Sequence, residues 1–263
     1  MTNRLLVFSA RNDIYLECNY SNINVGVKLL MSKSRGIVFE SYSPRTSSGS
    51  AAPASSLPDM ARYGNNGTFV NTPMWTNLPS GIWVLDFESE DSDAVTCGTG
   101  ISLNINLYLT IEFWVKLESY SGGDTVVCKG QTAGFNNRNY CFLLSNFHYA
   151  TGGSGYDFQT SPADWWSSHI GEWHHVCGTI DTVNDDRYYY IDGQVNNSDL
   201  VTAIPSMPTV TDALEIGRAN DGAATYRYYI DGMLARIRIY NGVILSHTNT
   251  RIHYENERSL FGV

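Results

Sequence analysis

The chain has 263 residues, of which 43% are hydrophobic and only 16% charged, so it can bury one large core or two small ones beneath a surface built on Ser, Thr, Asn, Gly and Tyr. Its formal net charge is −9, with 17 Lys plus Arg against 26 Asp plus Glu and no basic run, which excludes a nucleic-acid-binding surface based on phosphate neutralisation. No stretch approaches the roughly 18 consecutive apolar residues that span a bilayer, and residues 1–7 lack the apolar core and cleavage site of a secretory signal. The reading is of a soluble chain, intact from its initiator methionine and not exported by the usual route.

Residues 1–35 form a distinct opening segment. Asp13-Ile14-Tyr15-Leu16-Glu17-Cys18 and Val25-Gly26-Val27-Lys28-Leu29-Leu30 each read as a short strand, so the segment is an N-terminal arm or an extra hairpin. The main domain runs over 36–263. It opens with the strand Gly36-Ile37-Val38-Phe39-Glu40-Ser41-Tyr42, followed by a Ser/Ala/Pro/Thr-rich loop over 43–58. Residues 59–69 hold Asn66-Gly67, a pair that supplies the positive φ of a tight turn, and Val84-Leu85-Asp86-Phe87 reads as the next strand.

Leu109-Thr110-Ile111-Glu112-Phe113-Trp114-Val115-Lys116 is the central strand, with Ile111, Phe113 and Val115 on one face and Thr110, Glu112, Trp114 and Lys116 on the other. Val126-Val127-Cys128-Lys129-Gly130 and Tyr140-Cys141-Phe142-Leu143-Leu144 are expected as its partners. Four further runs follow: Glu172-Trp173-His174-His175-Val176, Arg187-Tyr188-Tyr189-Tyr190-Ile191-Asp192-Gly193, Leu214-Glu215-Ile216-Gly217-Arg218, and Ala235-Arg236-Ile237-Arg238-Ile239-Tyr240-Asn241 preceded by Ile230-Asp231-Gly232. Each alternates apolar and polar residues beside a glycine or Asp-Gly turn, the pattern of half-buried antiparallel strands. Ser246 can cap one short surface helix over 247–258, whose apolar content is little more than Ile252. The five cysteines show no metal-ligand spacing; Cys128 and Cys141 can face each other across a hairpin, leaving room for one bridge.

The order of these runs, from the Asn-Gly turn through the central strand to the closing Arg-Ile-Tyr-Asn strand, resembles the laminin G-like branch of the concanavalin A-like lectin/glucanase superfamily over about residues 36–258. That resemblance implies an all-β fold: a two-sheet antiparallel jelly-roll sandwich with an N-terminal extension and one short C-terminal helix. It also implies recognition of a glycan or protein more than catalysis. The family's glucanases carry Glu-x-Asp-x-Glu on a strand, whereas residues 88–93 read Glu-Ser-Glu-Asp-Ser-Asp, as a solvated acidic turn. Many relatives bind calcium through an acidic pair, and here Ala235-Arg236 replaces it; Ca2+ stays a candidate cofactor through Asp59 and Asn65.

His174 and His175 are strand neighbours that face opposite sides and cannot converge on one ion. Glycan binding calls for exposed aromatic faces on loops, which points to Tyr149, Tyr156, Trp165 and Trp166 in the insert over 145–172, and to Tyr226 and Tyr228. The expected function is a non-enzymatic module of a viral or phage surface, a capsid decoration or fibre, with residues 1–35 carrying oligomerisation or virion assembly. A glycan-binding lectin or adhesin, and a divergent glycoside hydrolase or lyase, are the alternatives.

Overall fold

The computed structural model describes residues 36–45, 52–132, 137–151, 154–159, 165–200, 206–222 and 225–263. The arm or hairpin expected over residues 1–35 lies outside them. With strands numbered in chain order, the first sheet centres on β7 (Tyr108–Leu117), flanked by β12 (His174–Asp181) and β18 (Gly232–Asn241). It continues through β13 (Asp186–Ile191) to β14 (Gln194–Leu200) on one side, and through β5 (Trp83–Phe87) to β4 (Met74–Asn77) on the other; β1 (Ile37–Glu40) also pairs with β18. The second sheet runs β11 (Ser154–Gln159), β10 (Asn146–Thr151), β9 (Arg138–Leu143), β8 (Thr125–Gly130), β15 (Leu214–Ile216), β6 (Ala94–Thr96), β3 (Gly67–Val70), β2 (Ser56–Leu57). A ribbon of β16 (Ala219–Gly222) and β17 (Thr225–Arg227) stands apart.

The two-residue alternation of β7 works as expected. Leu109, Ile111, Phe113 and Val115 enter the core between the sheets, where Phe113 meets Phe142 of β9 edge-on at 5.1 Å. Gly178 of β12 permits this close approach, since a Cβ there would lie 2.4 Å from the Phe142 ring. The pairing differs from the sequence expectation in one respect: β8 and β9 pair with each other in the second sheet, and the neighbours of β7 are β12 and β18. Residues 118–124 carry the chain from one sheet to the other. In the insert over 145–172, expected as loop, β10 and β11 form an edge hairpin. Cys128 and Cys141 are direct cross-strand partners, but no disulfide joins them.

The outer face of β7 is buried as well, because helix α1 (His247–Phe261) lies over it. The helix is capped by Ser246 and ends at Gly262, which adopts φ +77°. It runs three residues beyond the expected end because Phe261 stacks on Trp114 at 4.2 Å. Its covering face is Thr250, His253, Tyr254, Glu257 and Phe261, at the three- and four-residue spacing that shares one side of a helix. A bulge in β18 between Ala235 and Arg238 holds Arg236 at φ +52° and places it beside Arg238 toward this helix.

Candidate functional site

Backbone hydrogen bonds gather several loops at one end of the sandwich. Gly171 N–H donates to Leu117 O, Glu118 N–H to Asp231 O, Leu144 N–H to Asp124 O, and Thr125 N–H to Tyr228 O. The segment that begins at Trp165, the crossover over 118–124, the corner at Leu144 and the turn over 228–231 therefore meet where β7 ends and β12 begins. Rigid strands fix this end, and loops on such a frame are where recognition is commonly built.

Trp165 and Trp166 divide the work. Trp166 is 1% exposed, donates Nε1–H to Leu144 O at 3.1 Å and belongs to the inter-sheet core, so as a ligand contact it is corrected to a packing residue. Trp165 is half-buried. Its ring stacks on His169 at 3.9 Å and 12°, and meets Trp166 and His174 edge-on at 4.7 and 4.9 Å. His169 Nδ1 lies 2.6 Å from Trp165 O, and His174 Nδ1 lies 2.9 Å from Asp192 Oδ2. His175, one residue on, points the other way toward Glu112, so the two imidazoles diverge as expected. The result is an aromatic platform whose orientation is set before any ligand arrives.

Tyr228 forms the second aromatic element of this end. It is 39% exposed and sits at φ +58°, a left-handed conformation that is a true outlier for an aromatic residue. Its ring lies against Gly123, where an added Cβ would fall 2.3 Å from Tyr228 Cδ1. Beneath that glycine, Asp124 accepts from Ser121 N–H and Gly122 N–H through Oδ2, while its buried Oδ1 has no hydrogen-bond partner among the described residues. Burial raises the Asp124 pKa. Tyr226 is committed elsewhere: the Arg218 guanidinium lies 3.6 Å over its ring, and Arg218 is itself held by Glu215 at 2.9 Å. Tyr149 and Tyr156 are direct cross-strand partners on the β10–β11 hairpin, and Tyr149 also pairs with Tyr140. The glycine shelf and the φ of Tyr228 were not among the expected features; Gly122-Gly123 is the signal that could have suggested the shelf.

Asp59 and Asn65 do come together, but their polar atoms are spent on the loop itself. Asp59 Oδ1 accepts from Glu40 N–H and Ala61 N–H, Oδ2 accepts from Asn65 N–H, and Asn65 Nδ2 donates to Val38 O. No group of three or more His, Cys, Asp or Glu among the described residues is arranged to hold a metal ion. In the acidic turn, Asp93 accepts from Thr72 N–H and Glu88 N–H and so anchors the loop.

The densest chemistry lies under α1. Glu112, fully buried, meets Arg238 Nη1 at 3.0 Å, Tyr240 Oη at 2.5 Å and His253 Nδ1 at 2.8 Å. Arg238 also bridges Glu257 at 2.5 Å and Glu40 at 3.2 Å, and Trp114 Nε1–H donates to Glu257 at 2.9 Å. Burial alone would raise the Glu112 pKa; the Arg238 guanidinium, with the His175 and His253 imidazoles, overrides it and holds the carboxyl well below its ordinary 4.5. A carboxylate sealed and neutralised in this way is a structural anchor, with no face free for a substrate.

An antiparallel two-sheet jelly-roll of this topology defines a lectin-like fold. The chain belongs to the concanavalin A-like lectin/glucanases superfamily, whose laminin G-like family model matches residues 89–248. No curated protein sequence matches it. Among solved structures it is similar to the binding domain of Paraclostridial Mosquitocidal Protein 1, with TM-score 0.60, 14% identity, and coverage of 84% of this chain and 52% of that one. Domain 4 of AbnA, an extracellular arabinanase from Geobacillus stearothermophilus, in complex with arabinotriose, is similar with TM-score 0.54, 19% identity, and coverage of 74% and 91%. The binding domain of botulinum neurotoxin DC in complex with SialylT gives TM-score 0.57, 13% identity, and coverage of 86% and 52%. The chain thus spans about half the length of the first structures it resembles. Among the described residues, no helix is long and apolar enough to cross a membrane.

Proposed function

We propose that this chain is a non-enzymatic recognition module that takes up a glycan at the end of the sandwich carrying Trp165 and Tyr228. The observation that carries the reading is the pairing of two accessible aromatic rings at one end, each held by a rigid partner, Trp165 on His169 and Tyr228 on Gly123. Preorganised aromatic faces lose little freedom on binding and suit the CH-rich faces of sugar rings. The strain at Tyr228 supports the same reading, since outlier backbone tends to persist where a ligand site needs it. Arabinotriose in the AbnA domain is consistent with a sugar ligand on this fold. A glycan array tests it: wild type should bind a defined set of glycans that Trp165→Ala and Tyr228→Ala lose, and a folded wild type that binds none counts against it.

The setting proposed for the module is display on a virion or phage surface, or another extracellular surface, with residues 1–35 as the assembly segment. The low charge content and hydroxyl-rich composition support that setting. Deleting residues 1–35 should abolish oligomerisation or particle attachment while leaving glycan binding intact; unchanged assembly removes the segment from the account.

A further inference from the structure

The end that carries Trp165 and Tyr228 has a second half, made of carboxylates. The strands of the first sheet arrive there in the order β12, β7, β18, β5. Just beyond them stand Trp165 and Glu172 for β12, Glu118 for β7, Asp231 for β18 and Glu88 for β5, with Asp91 further along the turn. Neighbouring strands are about 4.8 Å apart, so the acidic row begins about one strand spacing from the Trp165 platform. Ser89 N–H donates to Asp231 Oδ1 at 3.3 Å, which ties the acidic turn to the row.

Burial, and then the carboxylates of Asp86, Glu118, Asp231 and Asp91, raise the Glu88 pKa, so these groups share one field. Of the cations nearby, Arg227 lies over the Tyr228 ring at 5.3 Å but is neutralised by its ion pair with Asp221, Lys116 lies beside Asp86, and Arg251 stands behind the Gly193 turn on α1.

Building on the proposed glycan site, we infer that its ligand is an uncharged glycan, and that the row of Glu88, Asp91, Glu118 and Asp231 rejects anionic glycans such as sialylated ones. The aromatic half supplies affinity for sugar faces, and the acidic half supplies discrimination by like-charge repulsion. The screening length is about 10 Å at 0.1 M salt, so the row acts across the whole end at low ionic strength and fades as salt rises.

The test uses the full chain and matched oligosaccharides that differ by one terminal sialic acid. At low salt the neutral member should bind about ten-fold tighter, as expected for several like charges about one screening length away. The ratio should shrink toward one at high salt. The triple variant Glu88→Gln/Asp91→Asn/Glu118→Gln should narrow it in the same way, since these three side chains are exposed and their loss leaves the core intact. Glu255→Gln, an exposed carboxylate on α1, is the net-charge control and should leave the ratio unchanged. Equal or tighter binding of the sialylated member, or a ratio that neither salt nor the triple variant moves, overturns the charge filter while leaving glycan binding standing. A folded wild type that binds neither member removes the glycan site and the filter together.

Discussion

Glu112 lies on β7 and Trp165 in the loop that leads into the neighbouring strand β12, and the two show opposite uses of polar and aromatic chemistry. Under α1, Glu112, Arg238, Glu257, Tyr240 and His253 satisfy one another within 3.0 Å, and the helix seals them. At the end of the sandwich, Trp165 and Tyr228 are held by their neighbours yet stay partly exposed, Trp165 against His169, Trp166 and His174 and Tyr228 against Gly123 and Arg227. Perturbed ionisable groups often mark function, but only where something can reach them. Here the strongly shifted Glu112 and Arg238 belong to the clasp that fixes a helix, and the recognition proposed above falls where groups are few and half-open.

Arg238→Met breaks the comparison most severely. It leaves Glu112 buried without its charge partner, at an expected cost of roughly 3–5 kcal/mol in denaturant unfolding. Glycan affinity at a temperature where the variant stays folded should be unchanged. The same clasp makes stability depend on pH in two directions. Glu112 and Glu257 have folded pKa values below the ordinary 4.5, so their contribution is present above about that value and is lost as pH falls through the folded ones. His253 is raised above 6.5 by its hydrogen bond to Glu112, against burial, so its contribution is present below about 6.5 and is lost as pH rises through its folded value. Thermal melts across pH should therefore peak between about 4.5 and 6.5 for this network, and His253→Gln should flatten the alkaline side while weakening the acid side less, since Arg238 still holds Glu112 down.

Trp166→Ala comes next, with roughly 3–5 kcal/mol of stability lost from the core. Its neighbour Trp165, truncated in the same way, should cost far less stability and remove ligand binding instead. The smallest structural change is Gly123→Ala, whose Cβ must displace the Tyr228 ring. It should weaken glycan binding about three- to ten-fold with a stability change within about 1 kcal/mol; unchanged affinity would mean that Tyr228 needs no shelf.

The sandwich was legible because β7 alternates cleanly and because β13 and β18 adjoin the Asp192-Gly193 and Asp231-Gly232 turns. The partnering of β8 and β9 was not, since a strand pattern fixes which face is buried but leaves open which sheet the strand joins after a crossover. The role of α1 was hidden for a different reason. Its buried face carries Thr250, His253 and Glu257, which look like a solvated stripe until Arg238 and Glu112 are placed beneath them. At the site, Trp165 could be picked out as a loop aromatic, but adjacent loop residues have no periodicity to separate it from Trp166. The left-handed backbone of Tyr228 leaves no mark in the sequence at all.

The central claim is that binding resides at the open end and is separable from the sealed network. Titration calorimetry on wild type and Trp165→Ala with a glycan selected on the array, beside thermal melts of both, tests it most directly. The account predicts at least about a ten-fold loss of affinity for Trp165→Ala with a melting temperature close to wild type. Wild-type affinity in that variant, or a loss that merely follows its unfolding, would contradict it.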